Sequence, residues 1–144
     1  MQTDVVELLR EHLRAAPQDA DRHARLAAQL ASLGRTAEAR DALRHAVSVL
    51  PVAAGLWWRL AIAESNMGDG NAALACLARA IEAGPREAED WRRIGWTYLE
   101  YWRYAEAQAA LEKAAALDPA GLVLEGGAER ALSELRRVQR PGGG

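Results

Sequence analysis

The sequence predicts an all-α protein built from helix–turn–helix repeats, and three observations support this prediction. Alanine is the commonest residue, followed by leucine, arginine and glutamate, which are all strong helix formers. Phenylalanine is absent, and β-branched residues do not occur in the alternating runs that indicate strands. Four prolines, Pro17, Pro51, Pro85 and Pro119, recur at a constant interval of 34 residues. A fixed period of this size is typical of repeat architectures.

The overall composition restricts the class of protein. A chain of 144 residues is long enough for one domain, and we expect that domain to cover residues 1–140 with a flexible tail at 141–144. The formal net charge of −2 argues against non-specific electrostatic binding of nucleic acid. The first residues contain acids and arginines where a secretory signal needs an unbroken apolar run. We therefore expect a cytoplasmic protein without direct membrane insertion.

The first element is a helix over residues 3–17 that precedes the repeats. Its apolar side chains are expected to face the first repeat and to cap that end of the stack. These side chains are Val5, Val6, Leu8, Leu9 and Leu13.

Three complete units follow, at residues 20–53, 54–87 and 88–121. Equivalent positions agree in type across the units: the fourth is His23, Trp57 or Trp91, and the eighth is Ala27, Ala61 or Gly95. Each unit is predicted to form a helix, a short turn and a second helix that ends before a proline. The small residues allow close approach of the helix axes, and the large residues fill the space beside them.

This pattern resembles the tetratricopeptide repeat, and the third unit is the nearest match through Trp91, Ile94, Gly95, Tyr98 and Ala107. The resemblance covers roughly residues 20–121. It implies a right-handed α-solenoid in which the first helix of each unit lines a concave surface. The chain departs from the family pattern at three positions. His23 stands where a tryptophan is usual, Glu64 where an aromatic residue is usual, and Trp102 at a turn position that Gly34 and Gly68 occupy in the earlier units.

A second capping helix is predicted within residues 122–140. Residues 128–139 form an amphipathic stretch, which Gly126 and Gly127 separate from the apolar segment Leu122–Leu124. The expected apolar stripe consists of Ala128, Ala131, Leu132, Leu135 and Val138.

The sequence indicates no catalytic, metal or cofactor site. The three histidines lie in different predicted helices, so no two of them are one helical turn apart. His23 is interpreted as a packed core residue and Cys76 as a partly buried thiol without a basic partner. Neither glycine-rich phosphate-binding motif occurs. We therefore predict a protein that is not an enzyme.

The candidate binding surface lies on the first helix of each unit, at the positions that are not needed for core packing. Arg25, Arg59 and Arg93 recur at one of these positions and are predicted to form a ladder suited to acidic side chains. The alternative is that they pair with acids of their own helices, such as Asp21 or Glu89. Large apolar residues accompany them, and Trp57 and Trp91 are assigned to the core instead. The remaining candidate contact residues are Trp58, Ile62, Asn66, Arg92, Trp96 and Leu99.

The leading functional hypothesis is a module that binds an extended or helical segment of another protein, acidic or apolar in character. A bacterial secretion-type chaperone or adaptor is one concrete version, based on similar size and architecture. The alternatives are a scaffold subunit, including a homo-oligomer, and the targeting portion of a larger enzyme. Trp102 is left open between packing over the next helix and serving as an exposed contact.

Overall fold

The structure is a computed structural model that describes residues 2–119 and 128–139. Its secondary structure in these ranges consists of α-helices, and no strand occurs within them. The helices are α1 (Gln2–Ala15), α2 (Ala20–Ser32), α3 (Thr36–Val49), α4 (Ala54–Asn66), α5 (Gly70–Glu82), α6 (Ala88–Glu100), α7 (Tyr104–Leu117) and α8 (Ala128–Gln139). The predicted all-α class is thus confirmed. The chain divides into two compact units, one within residues 1–84 and the other within residues 85–144.

Helix α1 packs on the first repeat through a narrower face than the sequence suggests. Val6 and Leu13 are buried in a cluster with residues of α2 and α3, and Leu9 packs against this cluster. Val5 and Leu8, which were expected to face the repeat, are exposed. Positions 6, 9 and 13 follow one helical stripe, whereas 5 and 8 lie on the adjacent stripe and point away from the repeat.

The side chain at the fourth position of each repeat forms a hydrogen bond with the backbone carbonyl of the proline that precedes its helix. The Nε1–H groups of Trp57 and Trp91 donate to the carbonyls of Pro51 and Pro85 at 2.8 and 3.1 Å. His23 makes the same contact with Pro17 through Nε2 at 2.7 Å. Because a carbonyl only accepts, this contact requires the hydrogen of the His23 ring to be on Nε2. The predicted core placement is confirmed for His23 and Trp91, which are buried, while Trp57 is half-buried.

The turn inside each repeat has the same backbone hydrogen bonds. Gly34 and Gly68 have positive φ values of 77° and 82°. The N–H of the next residue reaches back to a carbonyl of the first helix, as Arg35 N does to Leu30 O and Asp69 N to Glu64 O, each at 2.9 Å. This arrangement ends a helix with a left-handed residue and satisfies carbonyls that would otherwise lack partners.

The second unit packs α6 and α8 on α7. Gly95 allows the approach of α6, since a Cβ atom there would lie 2.7 Å from Leu111 Cγ. On α8, Leu132 and Leu135 are buried as predicted, but Val138 is exposed at the last turn of the helix. The predictions for the side chains of Ala128 and Ala131, for residues 122–127 and for the tail at 141–144 lie outside what the structure describes.

Within residues 2–119 and 128–139, every helix is too short or too polar to cross a bilayer.

Candidate functional site

The candidate site is a concavity in the first unit, formed by α2, α3 and α4, with a volume of about 210 Å³. We call it the α2–α4 concavity. Helix α2 lines it with small side chains and α4 with larger ones. The lining residues are Ala24, Ala27, Ala28 and Ala31 of α2, Ala39 and Leu43 of α3, and Trp58, Arg59, Ile62, Ala63 and Asn66 of α4.

Helical periodicity explains why these residues meet. Ala24, Ala28 and Ala31 are separated by about one turn each and therefore share one face of α2. Trp58, Ile62 and Asn66 are four residues apart and share one face of α4. Since alanine side chains take up little space, the volume between the two helices remains open.

Trp58 lies deeper than the sequence predicts. It was expected to be a contact residue outside the core, but its exposed fraction is only 5%. The alanines that line the same concavity leave room for the indole ring, which removes a large apolar area from water. Trp58 therefore forms a wall of the concavity rather than a projecting contact.

Arg59 is held against Trp58. Its guanidinium carbon lies 4.2 Å from the centre of the Trp58 ring, within the range of a cation–π interaction. Its Nη1 also donates to the carbonyl of Gly55 at 2.9 Å. These contacts fix a positive charge at the edge of the concavity, beside the half-buried Ile62 and the exposed Asn66.

Of the nine predicted contact residues, the concavity brings together Trp58, Arg59, Ile62 and Asn66. Arg25 is exposed on α2 but is not part of its lining. Sequence reasoning missed the contribution of Ala27, Ala39 and Leu43. Their core-type positions gave no signal that they also border an opening.

The other four candidates, Arg92, Arg93, Trp96 and Leu99, lie on α6 in the second unit. Arg93 Nε is 3.6 Å from Glu89 Oε1, one turn earlier on the same helix. This contact is the pairing that was considered as the alternative to a binding role. Trp96 has an exposed fraction of 42%, and Leu99 is half-buried.

A larger depression of about 570 Å³ lies among α1, α2 and α3. Both basic and acidic side chains line it, and Nη2 of Arg10 on α1 lies 3.6 Å from Oε1 of Glu38 on α3. The rings of His23 and His45 border it at a centroid distance of 6.2 Å. Among the described residues, no group of three or more histidine, cysteine or acidic side chains is arranged to hold a metal ion.

Another polar group lies in the interior of the first unit. Glu64 of α4 is buried and accepts a hydrogen bond from Arg44 of α3. Nearby, burial and the charge of Glu64 raise the pKa of the Cys76 thiol to about 11. A thiol with such a pKa remains protonated at neutral pH and is a poor nucleophile.

The structure is that of a helical repeat protein, in which each repeat consists of two helices joined by a turn. The helix pairs, the repeated turn geometry and the contacts with the prolines define this class. Residues 91–120 match the model of the tetratricopeptide repeat family. The chain thus has the fold of tetratricopeptide repeat proteins, and solved structures support this over most of its length. No curated protein sequence matches it.

Three solved structures illustrate the likeness. A double mutant of MamA RS-1 is 19% identical, with a TM-score of 0.70, over 99% of this chain and 77% of the other. A crystal structure of MamA is 21% identical, with a TM-score of 0.61, over 92% and 75% of the two chains. YrrB, described as a TPR protein with an unusual peptide-binding site, is 17% identical, with a TM-score of 0.63, over 79% and 59%. At these identities the likeness establishes the fold.

Proposed function

We propose that this protein is a non-enzymatic interaction module that binds a segment of a partner protein in the α2–α4 concavity. The observation that carries the proposal is the asymmetry of this concavity: alanines on α2 face Trp58 and Ile62 on α4. An opening between small and large apolar side chains can receive an apolar side chain of a partner, and burial there would supply the main binding energy. The peptide-binding site of YrrB supports the same use of the fold.

The polar groups at the edge of the concavity define the chemistry of the segment. The positive charge of Arg59 and the amide of Asn66 favour acceptor groups, such as a carboxylate or a backbone carbonyl. Because Trp58 and Gly55 hold Arg59, little side-chain entropy would be lost when a partner binds. The preferred ligand is therefore an apolar residue with an acidic neighbour, in an extended or helical segment.

The non-enzymatic part of the proposal is supported by the roles of the reactive groups. The raised pKa of Cys76 disfavours its thiolate, and the His23 ring is bound to a backbone carbonyl. We further propose a cytoplasmic adaptor or chaperone role, of which a secretion-type chaperone is one version. This finer role rests on the proposed ligand and on similarity of size and architecture.

The test fills the concavity without disturbing the core. Ala28 is exposed and lines the concavity, so Ala28→Tyr would occupy the space intended for the ligand. Ala75 is also an exposed alanine in the middle of a helix, α5, and it does not line the concavity, so Ala75→Tyr is a matched control. Peptides selected from a random display library against the wild-type chain would be measured by calorimetry against all three proteins.

We expect Ala28→Tyr to weaken binding of the selected peptides by about tenfold or more, since it blocks the contact of a buried apolar anchor. Ala75→Tyr should leave their affinity within about twofold. Equal affinity for the wild-type chain and Ala28→Tyr would contradict the proposal and would place ligand binding on another surface.

A further inference from the structure

The turn between α6 and α7 contains an exposed tryptophan in a conformation that favours glycine. Trp102 has a φ of 59°, and 76% of its surface is exposed. The first two repeats place Gly34 and Gly68 at the same position, with φ values of 77° and 82°. The N–H of Arg103 reaches back to Tyr98 O at 3.1 Å, as the residues after the two glycines do in their turns. The turn therefore keeps this hydrogen bond although its left-handed residue differs.

Folding gives no reason for a tryptophan at this position. A residue with a Cβ atom is disfavoured in the left-handed region, where glycine is strain-free. An indole ring that remains in water also contributes little burial energy. Residues held in a strained backbone conformation cluster at functional sites. An observed conformational outlier therefore points to a functional role. Trp102 is such an outlier.

The surroundings of Trp102 combine aromatic rings with a negative charge. The rings of Tyr104 and Trp102 form a T-shaped pair, with the centroids 6.2 Å apart and an interplanar angle of 88°. Arg103 Nη2 lies 2.8 Å from Glu106 Oε1, and this contact lowers the pKa of Glu106, which is therefore ionised at neutral pH and balances the arginine. Glu100, two residues before Trp102, is exposed. Glu100 is the last residue of α6 and adds an acidic side chain next to this turn.

Three other tryptophans of the chain each have a cation over the ring. The guanidinium carbons of Arg59 and Arg79 lie 4.2 and 5.0 Å from the ring centres of Trp58 and Trp57, respectively. Lys113 Nζ lies 4.5 Å from the ring centre of Trp91. In the part of the chain that the structure describes, no cation is placed over Trp102. The exposed ring of Trp102, two residues after the exposed Glu100, is suited to a cation that comes from outside the chain.

We propose that Trp102, Tyr104 and Glu100 form a docking surface for a basic segment of a partner protein. An arginine or lysine side chain of that segment stacks on the indole ring and pairs with Glu100, while the T-shaped contact with Tyr104 holds the ring in position. Charge complementarity selects this occupant over an acidic one. The surface goes beyond the proposed function, because it shares no residue with the α2–α4 concavity and recognises the opposite charge.

The test uses the substitution that the other repeats already contain. Trp102→Gly restores the residue found at Gly34 and Gly68, so it removes the ring without straining the turn. Trp96→Gln, which changes another exposed tryptophan of the same unit, serves as the matched control. The probes are a short capped peptide with two arginines and the same peptide with citrulline, which has the shape of arginine without the charge. Binding to the full chain is followed by calorimetry, which does not depend on the indole ring that the variant removes.

We expect the wild-type chain to bind the arginine peptide about fivefold more tightly than the citrulline peptide, which is the preference that an exposed cation–π contact supplies. Trp102→Gly should abolish this preference, and Glu100→Gln should reduce it by about twofold. Trp96→Gln and Ala28→Tyr should retain it, which separates this surface from the concavity. The melting temperature of Trp102→Gly should be equal to or above that of the wild-type chain.

Two kinds of result would overturn the proposal. Equal binding of the two peptides, or a preference that survives in Trp102→Gly, would show that the indole does not recognise a cation. A clearly lower melting temperature for Trp102→Gly would show that the ring serves folding. Sedimentation of the wild-type chain at the same concentrations provides a third check, since self-association that Trp102→Gly removes would identify a second copy as the occupant instead.

Discussion

Arg44 of α3 donates from Nε to Oε1 of Glu64 on α4 at 2.7 Å, and this ion pair joins the first repeat to the second. The two partners are in different environments, because the Arg44 side chain is half-exposed whereas only 3% of the Glu64 side chain is exposed. The other oxygen of Glu64, Oε2, is buried and has no hydrogen-bond partner among the described residues. A buried carboxylate thus depends on one arginine at a position where the repeat family commonly has an aromatic residue.

Loss of Arg44 should destabilise the protein more than loss of Glu64. Arg44→Met would leave the buried carboxylate without its hydrogen-bond donor, and we expect the free energy of unfolding to fall by more than it does in Glu64→Leu. Glu64→Leu removes the need for the pair and should change stability by less than about 1 kcal/mol in either direction. Urea unfolding of both variants and of the double variant tests this order. A larger loss for Glu64→Leu than for Arg44→Met would contradict it.

The close approach at Gly95 should make an added methyl group unfavourable. In an open helix, Gly→Ala stabilises by about 1 kcal/mol. Here the new Cβ would lie 2.7 Å from Leu111 Cγ, and Leu111 is fully buried, so we expect a net loss of about 1–2 kcal/mol. The reverse change at the equivalent position, Ala61→Gly, should also destabilise, by about 1 kcal/mol. If Gly95→Ala raised the thermal midpoint, the packing of α6 on α7 would have to be looser than the structure shows.

The role of His23 should depend on its N–H donor rather than on its size. His23→Trp keeps a donor for Pro17 O, and the adjoining depression of about 570 Å³ offers room for the larger ring. We expect this variant to be within about 1 kcal/mol of the wild-type chain. His23→Phe leaves the carbonyl without its donor and should cost about 1–2 kcal/mol. Equal stability of the Trp and Phe variants would show that the hydrogen bond contributes nothing.

Alkaline pH should weaken the fold through Cys76. The folded-state pKa of about 11 lies above the ordinary value of 9.0. The unfolded chain therefore loses the proton first, and stability present below pH 9 is lost as the pH rises towards 11. By pH 10 the loss should be about 1 kcal/mol. Buried Tyr98, whose pKa is also raised by burial, contributes in the same direction.

The variant Cys76→Ala isolates the contribution of the thiol. Its unfolding midpoint should fall less between pH 8 and pH 10 than that of the wild-type chain, and the remaining loss would belong to other groups such as Tyr98. At pH 8 the thiol of the folded chain should react with a disulfide reagent at least tenfold more slowly than the thiol of the urea-unfolded chain. An equally steep pH dependence in both proteins would exclude Cys76 as the cause.

The repeat could be predicted from the sequence because its period fixes the phase of every helix. The interval of the prolines and the alternation of small and large residues were enough to place α2–α7. The 34-residue period does not specify which side chains of neighbouring helices cover a given helix face. Trp58 and Glu64 lie on the first helix of the second repeat. The sequence predicts Trp58 as a contact for a partner, and Glu64 departs from the family pattern, yet both side chains are buried. Their burial depends on the small residues and the arginine that α2 and α3 contribute, which are distant in sequence.

The placement of the candidate contact residues could be predicted only in part, for a related reason. Ile62 and Asn66 line the α2–α4 concavity as the repeat position predicts, whereas Arg93 lies beside Glu89 of its own helix. A position in a repeat indicates the direction of a side chain, but local charges decide what that side chain contacts. The ligand itself stays a prediction, because binding depends on a partner whose chemistry the sequence of this chain does not contain.

The backbone hydrogen bond that the three turns share has an evolutionary consequence. Leu30, Glu64 and Tyr98 each accept from the residue after the left-handed position, whether that position holds glycine or tryptophan. The side chain at this position can thus be exchanged while the helices on both sides keep their ends. Such a turn allows new surface chemistry to be sampled one residue at a time, with the cost confined to a single backbone dihedral. Recognition can then diversify at the turns of a repeat protein while selection on the helices remains almost unchanged.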